Sequence, residues 1–221
     1  MDELNKESFQ IEEITTKLSK RNPPSPYTTS LLQQDGFSKL GFSSQKTMVV
    51  AQALYEGIQI QEKSVGLITY MRTDSFAISP KARAEAEKFV KEKFGQEYWE
   101  QEARQYKAKK GAQGAHESIR PTSPYRTPKE MKKFLGDEEL KLYTMIWNRF
   151  MASLMKEAVF ENTKISVCSE TAQFIIEGKK LVFDGFLRLW GEDDHDQILP
   201  LINQSDQVQL SGCSMISHTT K

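Results

Sequence analysis

Hydrophobic positions recur every three to four residues through the middle of this chain and every second residue toward its end. Helices are therefore expected first and strands later. Before either comes Phe9, Ile11, Ile14 and Leu18 among charged neighbours, an extended strand over residues 8–18 that loses its regularity near Thr15. In Asn22-Pro23-Pro24-Ser25-Pro26 three prolines forbid helix and sheet interior alike, so a domain crossing is expected there. Thr28-Thr29-Ser30 can cap a short helix carrying Leu31, Leu32, Gln33 and Gln34. Ser43 or Ser44 caps the next helix. There Thr47, Val50, Ala51, Leu54 and Ile58 form one apolar stripe, and Gly57 marks the end. Gln45, Gln52 and Glu56 lie off that stripe, open to a partner, and residues 59–65 read as a loop.

Leu67 to Met71 reads as a short strand of β-branched, aromatic and long apolar residues. Ser79-Pro80 then opens a helix that stops at Gly95 and buries Ala82, Ala86, Phe89 and Val90. Its other face mixes lysines with glutamates, the pattern of a solvated surface. Thr127-Pro128-Lys129-Glu130 is a capping box, and Gly136 ends the short helix it starts. A long helix follows over about residues 137–157, with Leu140, Tyr143, Trp147, Phe150, Met151 and Leu154 as core. From Val159 the period becomes two, with a hairpin turn at Glu177-Gly178-Lys179-Lys180 and further strands near residues 198–202 and 208–210. The order predicts an α+β chain. A mostly helical domain, residues 27–158, is inserted into an antiparallel β domain made of residues 1–26 (first strand and linker) and 159–221.

Composition narrows the class without naming it. The chain has 221 residues, 38% hydrophobic and 27% charged, enough for one or two domains with real cores. Thirty basic residues balance thirty acidic ones, so any anion-binding face must be local. Cys168 and Cys213 lack metal-type spacing and are expected as free thiols. Met1 to Gln10 has no apolar core for a signal peptide, and no apolar run reaches membrane-spanning length. A soluble cytoplasmic protein is expected.

Three polar groups could carry chemistry. In Thr69-Tyr70-Met71-Arg72-Thr73-Asp74, strand alternation puts Tyr70 and Arg72 on one face. A phenol can form a covalent ester with a phosphate, and a guanidinium matches phosphate oxygens with forked donors. Alone, the stretch reads first as an edge strand with a packed tyrosine and a solvated arginine. His116 and Arg120 are four apart and would share the face of a helical turn, a pair suited to one phosphate or to solvent. Glu192-Asp193-Asp194-His195-Asp196 has the carboxylates a divalent cation wants, but it reads as a solvated loop, so no metal ligands are assigned. The basic run over residues 104–110 suits either nucleic acid or a plain surface loop.

Four blocks together are more specific than any one group. They are Pro26-Tyr27-Thr28-Thr29-Ser30-Leu31-Leu32-Gln33-Gln34, the run from Lys46 to Gly57, the run from Gly66 to Ser75, and Ala115-His116-Glu117-Ser118-Ile119-Arg120-Pro121-Thr122. In that order they resemble the bacterial type IA DNA topoisomerases. The later strands, with Phe183-Asp184-Gly185-Phe186 and Ile198-Leu199-Pro200, resemble that family's arch domain.

The resemblance implies that Tyr70 is the nucleophile, joined transiently to a 5′ phosphate of one DNA strand. Arg72 and His116 would act at the same phosphate. Gln52, Glu56, Thr69, Thr73, Asp74 and Arg120 would lie near the bound strand. The implied partner is DNA, especially single-stranded segments of negatively supercoiled DNA, for a nucleoid-associated enzyme with no membrane role; a monomer is favoured. The implied cofactor is Mg2+, held by a Toprim domain that is expected to be missing from this chain. The chain is thus expected to be a central fragment, inactive alone and without a metal of its own. Asp194-His195-Asp196 resembles the Toprim carboxylate spacing but stands downstream of Tyr70 with no preceding strand and glutamate. The alternative from a different class is a non-catalytic single-strand-binding module; a third reading leaves Tyr70, Arg72 and His116 as unrelated surface residues.

Overall fold

The computed structural model of the chain describes residues 8–104, 106, 116–191, 199, 203, 207 and 208. They fall into two compact units. Residues 22–158 and 184–192 belong to the larger, and the smaller takes its chain from residues 1–21, 159–183 and 193–221. The result is a mixed α/β chain with antiparallel sheets.

The smaller unit is a four-stranded sheet. Strands β1 (Phe9–Arg21), β4 (Ala158–Cys168), β5 (Gln173–Phe183) and β6 (Gln207–Val208) run in the order β5-β4-β1-β6. Phe9, Ile11, Ile165 and Val167 form its buried core, and Phe174 meets Phe9 edge-on with ring centroids 5.6 Å apart. Two expectations change here. Strand β1 runs on to Arg21, past the point where its alternation fades. The turn expected at residues 177–180 lies inside β5, where Gly178 pairs with Thr163 in the antiparallel ladder to β4. The chain reverses instead at residues 169–172, where Ser169 N–H donates to the Ala172 carbonyl (2.8 Å) and Ala172 N–H to Ser169 Oγ (3.0 Å). A glycine can sit in a strand interior, so glycine beside charged residues did not mark the turn. Cys168 is a free thiol.

In the larger unit, α1 (Thr29–Leu40) starts at the Thr28 N-cap and ends on left-handed Gly41. It is longer than expected because Gly36 lies within it at a close approach to α2 (Ser44–Glu56). A Cβ there would come within 2.6 Å of Thr47 Oγ1. Helix α2 is capped by Ser43 and buries Thr47, Val50, Ala51 and Leu54. Ile58, the last residue of the expected stripe, opens a small hairpin, β2 (Ile58–Ile60) and β3 (Lys63–Val65), where a loop was expected. Helix α3 (Pro80–Lys93) has Ser79 as N-cap and the four buried residues anticipated for it.

The short α4 (Pro128–Met131) carries the Thr127–Glu130 capping box. Helix α5 (Asp137–Leu154) packs against α1, α2, α3 and α4, and also against α6 (Leu187–Trp190). It stops three residues before the expected end. Its Phe89 neighbour in α3 meets Trp147 edge-on at 5.6 Å. Residues 184–191, expected among the β strands, form a turn and α6 within the larger unit. Among the described residues no helix is long and apolar enough to cross a membrane. The acidic run 192–196, Cys213, most of the basic run 104–110 and most of the expected strands near 198–202 and 208–210 lie outside the described residues.

Candidate active site around Tyr70

Residues 66–75 do not form a regular strand. They lie beside residues 118–122 with a single antiparallel bridge, Ile68 to Pro121, and bend at Thr69, Met71 and Arg72. Thr69 N–H donates to the Arg120 carbonyl (2.9 Å), and Thr122 N–H to that of Leu67 (2.9 Å). The Thr69 hydroxyl donates to the Ser118 carbonyl (2.7 Å) and accepts from Arg120 N–H (3.0 Å). Gly66 is needed where it stands, because a Cβ would come within 2.7 Å of the Tyr55 carbonyl oxygen. Past Tyr70 a second bracket takes over. Thr29 N–H donates to the Thr73 carbonyl (2.8 Å), and the Thr29 hydroxyl donates to Met71 O (2.7 Å).

Between the brackets the alternation expected of a strand survives. Met71 and Thr73 are buried, whereas Tyr70, Arg72 and Asp74 are exposed. Ile68 departs from it: Leu67 and Ile68 are both fully buried, because chain covers the segment on both sides. Tyr70 is 39% exposed, and its ring neighbours two others. Tyr55 meets it edge-on at 5.5 Å, and the exposed His116 lies at 6.0 Å. Arg72 lines an open groove of about 650 Å³ with Gln45, Met48, Val49, Gln52, Ala53 and Glu56. In that groove the Gln52 amide donates to the Glu56 carboxylate.

The structure thus brings Tyr70 and His116 together and sets Arg72 beside Gln52 and Glu56. Three of the expected residues have their polar groups engaged within the protein. Thr73 is buried, and its hydroxyl accepts from Ser75 N–H (3.1 Å). Thr69 spends its hydroxyl on the neighbouring backbone, as above. Arg120 does not share a helical face with His116, because residues 116–122 are not helical. Its guanidinium is paired with Glu117 and also donates to the Pro121 carbonyl (2.9 Å). The other Glu117 oxygen accepts from Ser79 N–H (2.7 Å), at the cap of α3. Burial raises the Glu117 pKa, but the Ser79 hydrogen bonds and the Arg120 charge outweigh it and hold the carboxyl below its ordinary value. Tyr55 was not anticipated; a large aromatic off the apolar stripe of α2 was its signal in the sequence.

Among the described residues no three His, Cys, Asp or Glu side chains are grouped to hold a metal ion. They offer no donor set for the magnesium ion that the resemblance implies.

A family model for DNA topoisomerase matches residues 1–221. The chain belongs to the bacterial type IA DNA topoisomerases. DNA topoisomerase 1 of Helicobacter pylori is 43% identical over 221 residues, all of this chain and 30% of that protein. DNA topoisomerase 1 of Campylobacter jejuni is 41% identical over 222 residues, again all of this chain and 32% of that protein. The structure of full-length topoisomerase I from Thermotoga maritima superimposes with a TM-score of 0.80 at 36% identity, covering 94% of this chain and 34% of the other. The chain therefore spans about 30% of the topoisomerases it matches in sequence.

Proposed function

We propose that this chain carries the DNA-cleaving tyrosine of a type IA topoisomerase, and that Tyr70 is that tyrosine. The observation that carries the reading is its placement. An exposed phenol stands 6.0 Å from the His116 ring on a segment hydrogen-bonded on both sides, with Arg72 two residues on. In the cleavage step the Tyr70 oxygen loses its proton and bonds to phosphorus. The bond from phosphorus to the 3′ oxygen breaks, and that oxygen leaves with the electron pair and takes up a proton. The product is a 5′-phosphotyrosyl ester and a free 3′ hydroxyl. Attack of that hydroxyl on the ester reverses the step and reseals the strand, and strand passage in between changes the linking number. One phosphoester replaces another, so no ATP is needed.

Arg72 supplies positive charge and forked donors where the phosphate gathers charge, and His116 donates to the same group. Gln52, Glu56 and Asp74 border the strand's path. The substrate is the single-stranded part of negatively supercoiled DNA. The helical unit acts as the tyrosine domain and the sheet unit as part of the arch. A Toprim domain outside this chain supplies Mg2+, so the chain alone is inactive. Negatively supercoiled plasmid tests this directly. The isolated chain is expected to leave it supercoiled and the full-length protein to relax it. Relaxation by the chain alone would overturn the division of labour, and a covalent adduct with the full-length protein would dispose of a purely binding module.

A further inference from the structure

Thr29, half-buried at the start of α1, holds the backbone on both sides of Arg72. Its hydroxyl donates to Met71 O (2.7 Å) and accepts from Thr73 N–H (2.8 Å). Its own N–H donates to Thr73 O (2.8 Å). A hydroxyl has one proton and two lone pairs, so the first two bonds are satisfied together. The three bonds fix the peptide units flanking Arg72. With Met71 and Thr73 held inward, Tyr70 and Arg72 are left pointing out.

Thr29 is itself held firmly. It is the first residue of α1, after the Thr28 cap. Two residues earlier, Tyr27 O accepts from Ile119 N–H (2.8 Å), three residues beyond His116. The Tyr27 hydroxyl donates to Asp35 (2.6 Å). Arg149, buried on α5, reaches both Asp35 (2.8 Å) and the Ser25 carbonyl (2.6 Å), with its guanidinium 4.4 Å from the Tyr27 ring. Residues 25–29 therefore tie the tyrosine-bearing and histidine-bearing segments to one anchored strut.

We propose that Thr29 is a positioning residue for Tyr70 and Arg72, acting through its hydroxyl. This rests on the reading of Tyr70 as the nucleophile. Thr29→Val keeps the shape and removes the hydroxyl, while Thr29→Ser keeps the hydroxyl and removes a methyl. In the full-length protein, Thr29→Val is expected to slow covalent-complex formation about ten- to a hundredfold with KM for DNA unchanged, as a small misplacement of reacting groups does. Thr29→Ser is expected to stay within about threefold of the parent, since the bonds that fix the geometry remain. Cleavage by Thr29→Val at the parent rate would overturn the proposal. So would a Thr29→Ser loss equal to that of Thr29→Val, which would make the methyl the cause. If Thr29→Val does not fold, Thr29→Ala against Thr29→Ser makes the same decision. Tyr70→Phe, run alongside, separates the two questions: cleavage by that variant would overturn the nucleophile assignment whatever Thr29 does.

Discussion

Glu117 couples the candidate site to its surroundings through charge. Its carboxylate joins Arg120 to the capped start of α3, one residue from the histidine that faces Tyr70. Its folded-state pKa lies below the unfolded value. The ionised group therefore adds stability above the unfolded pKa, and that stability is lost as pH falls through the folded pKa. Glu117→Gln is expected to cost about 1–2 kcal/mol at neutral pH, the scale of hydrogen bonds to a partly screened charge. In denaturant titrations over pH, the gap between parent and variant should close under acid. A gap of constant size would show that shape, not charge, matters at this position. Arg149 is the second residue with a sharp expectation. Arg149→Leu leaves Asp35 with only the longer Lys39 ion pair (3.8 Å) and the Ser25 carbonyl without its donor, and should cost about 3 kcal/mol in an unfolding titration. An unchanged midpoint would remove Arg149 as the anchor of residues 25–29.

Between elements, α1 comes very close to α2 at Gly36. A methyl there meets Thr47, whose side chain is fully buried and whose hydroxyl is bonded to the Ser43 carbonyl (3.0 Å). Gly36→Ala should lower stability by about 1–3 kcal/mol, the usual cost of overpacking, despite alanine's better helix propensity. A rise in melting temperature would mean the helices can part without cost. Elements of this kind were legible wherever a cap and a period agreed. Ser43 with the Thr47–Leu54 stripe, Ser79-Pro80 and the Thr127 capping box each announced a helix that forms. What was missed needed partners distant in sequence. Nothing local says that Gly178 continues a strand opposite Thr163, or that Gly36 sits inside a helix because α2 lies against it. The candidate site was legible by residue type but not by role. Tyr70, Arg72 and His116 stood out as chemistry. That Thr69 and Thr73 turn their hydroxyls to backbone, and that Arg120 is held by Glu117, depends on contacts made only on folding.

For the whole molecule, the central matter is how two units share one chain. The polypeptide leaves the sheet after Arg21, builds the helical unit, and returns at Val159. All the residues placed around Tyr70 belong to the helical unit, so the proposed chemistry of this chain resides there. Its relatives in Helicobacter and Campylobacter are about three times longer, as coverage of 30% and 32% requires. The most direct measurement is made on the full-length protein. It is incubated with single-stranded DNA and Mg2+, denatured to trap the covalent complex, digested with nuclease and protease, and the modified residue is located by mass spectrometry. The account predicts a 5′-phosphonucleotide on Tyr70 and no adduct with Tyr70→Phe. An adduct on any other residue, or relaxation of supercoiled plasmid by Tyr70→Phe, would contradict it.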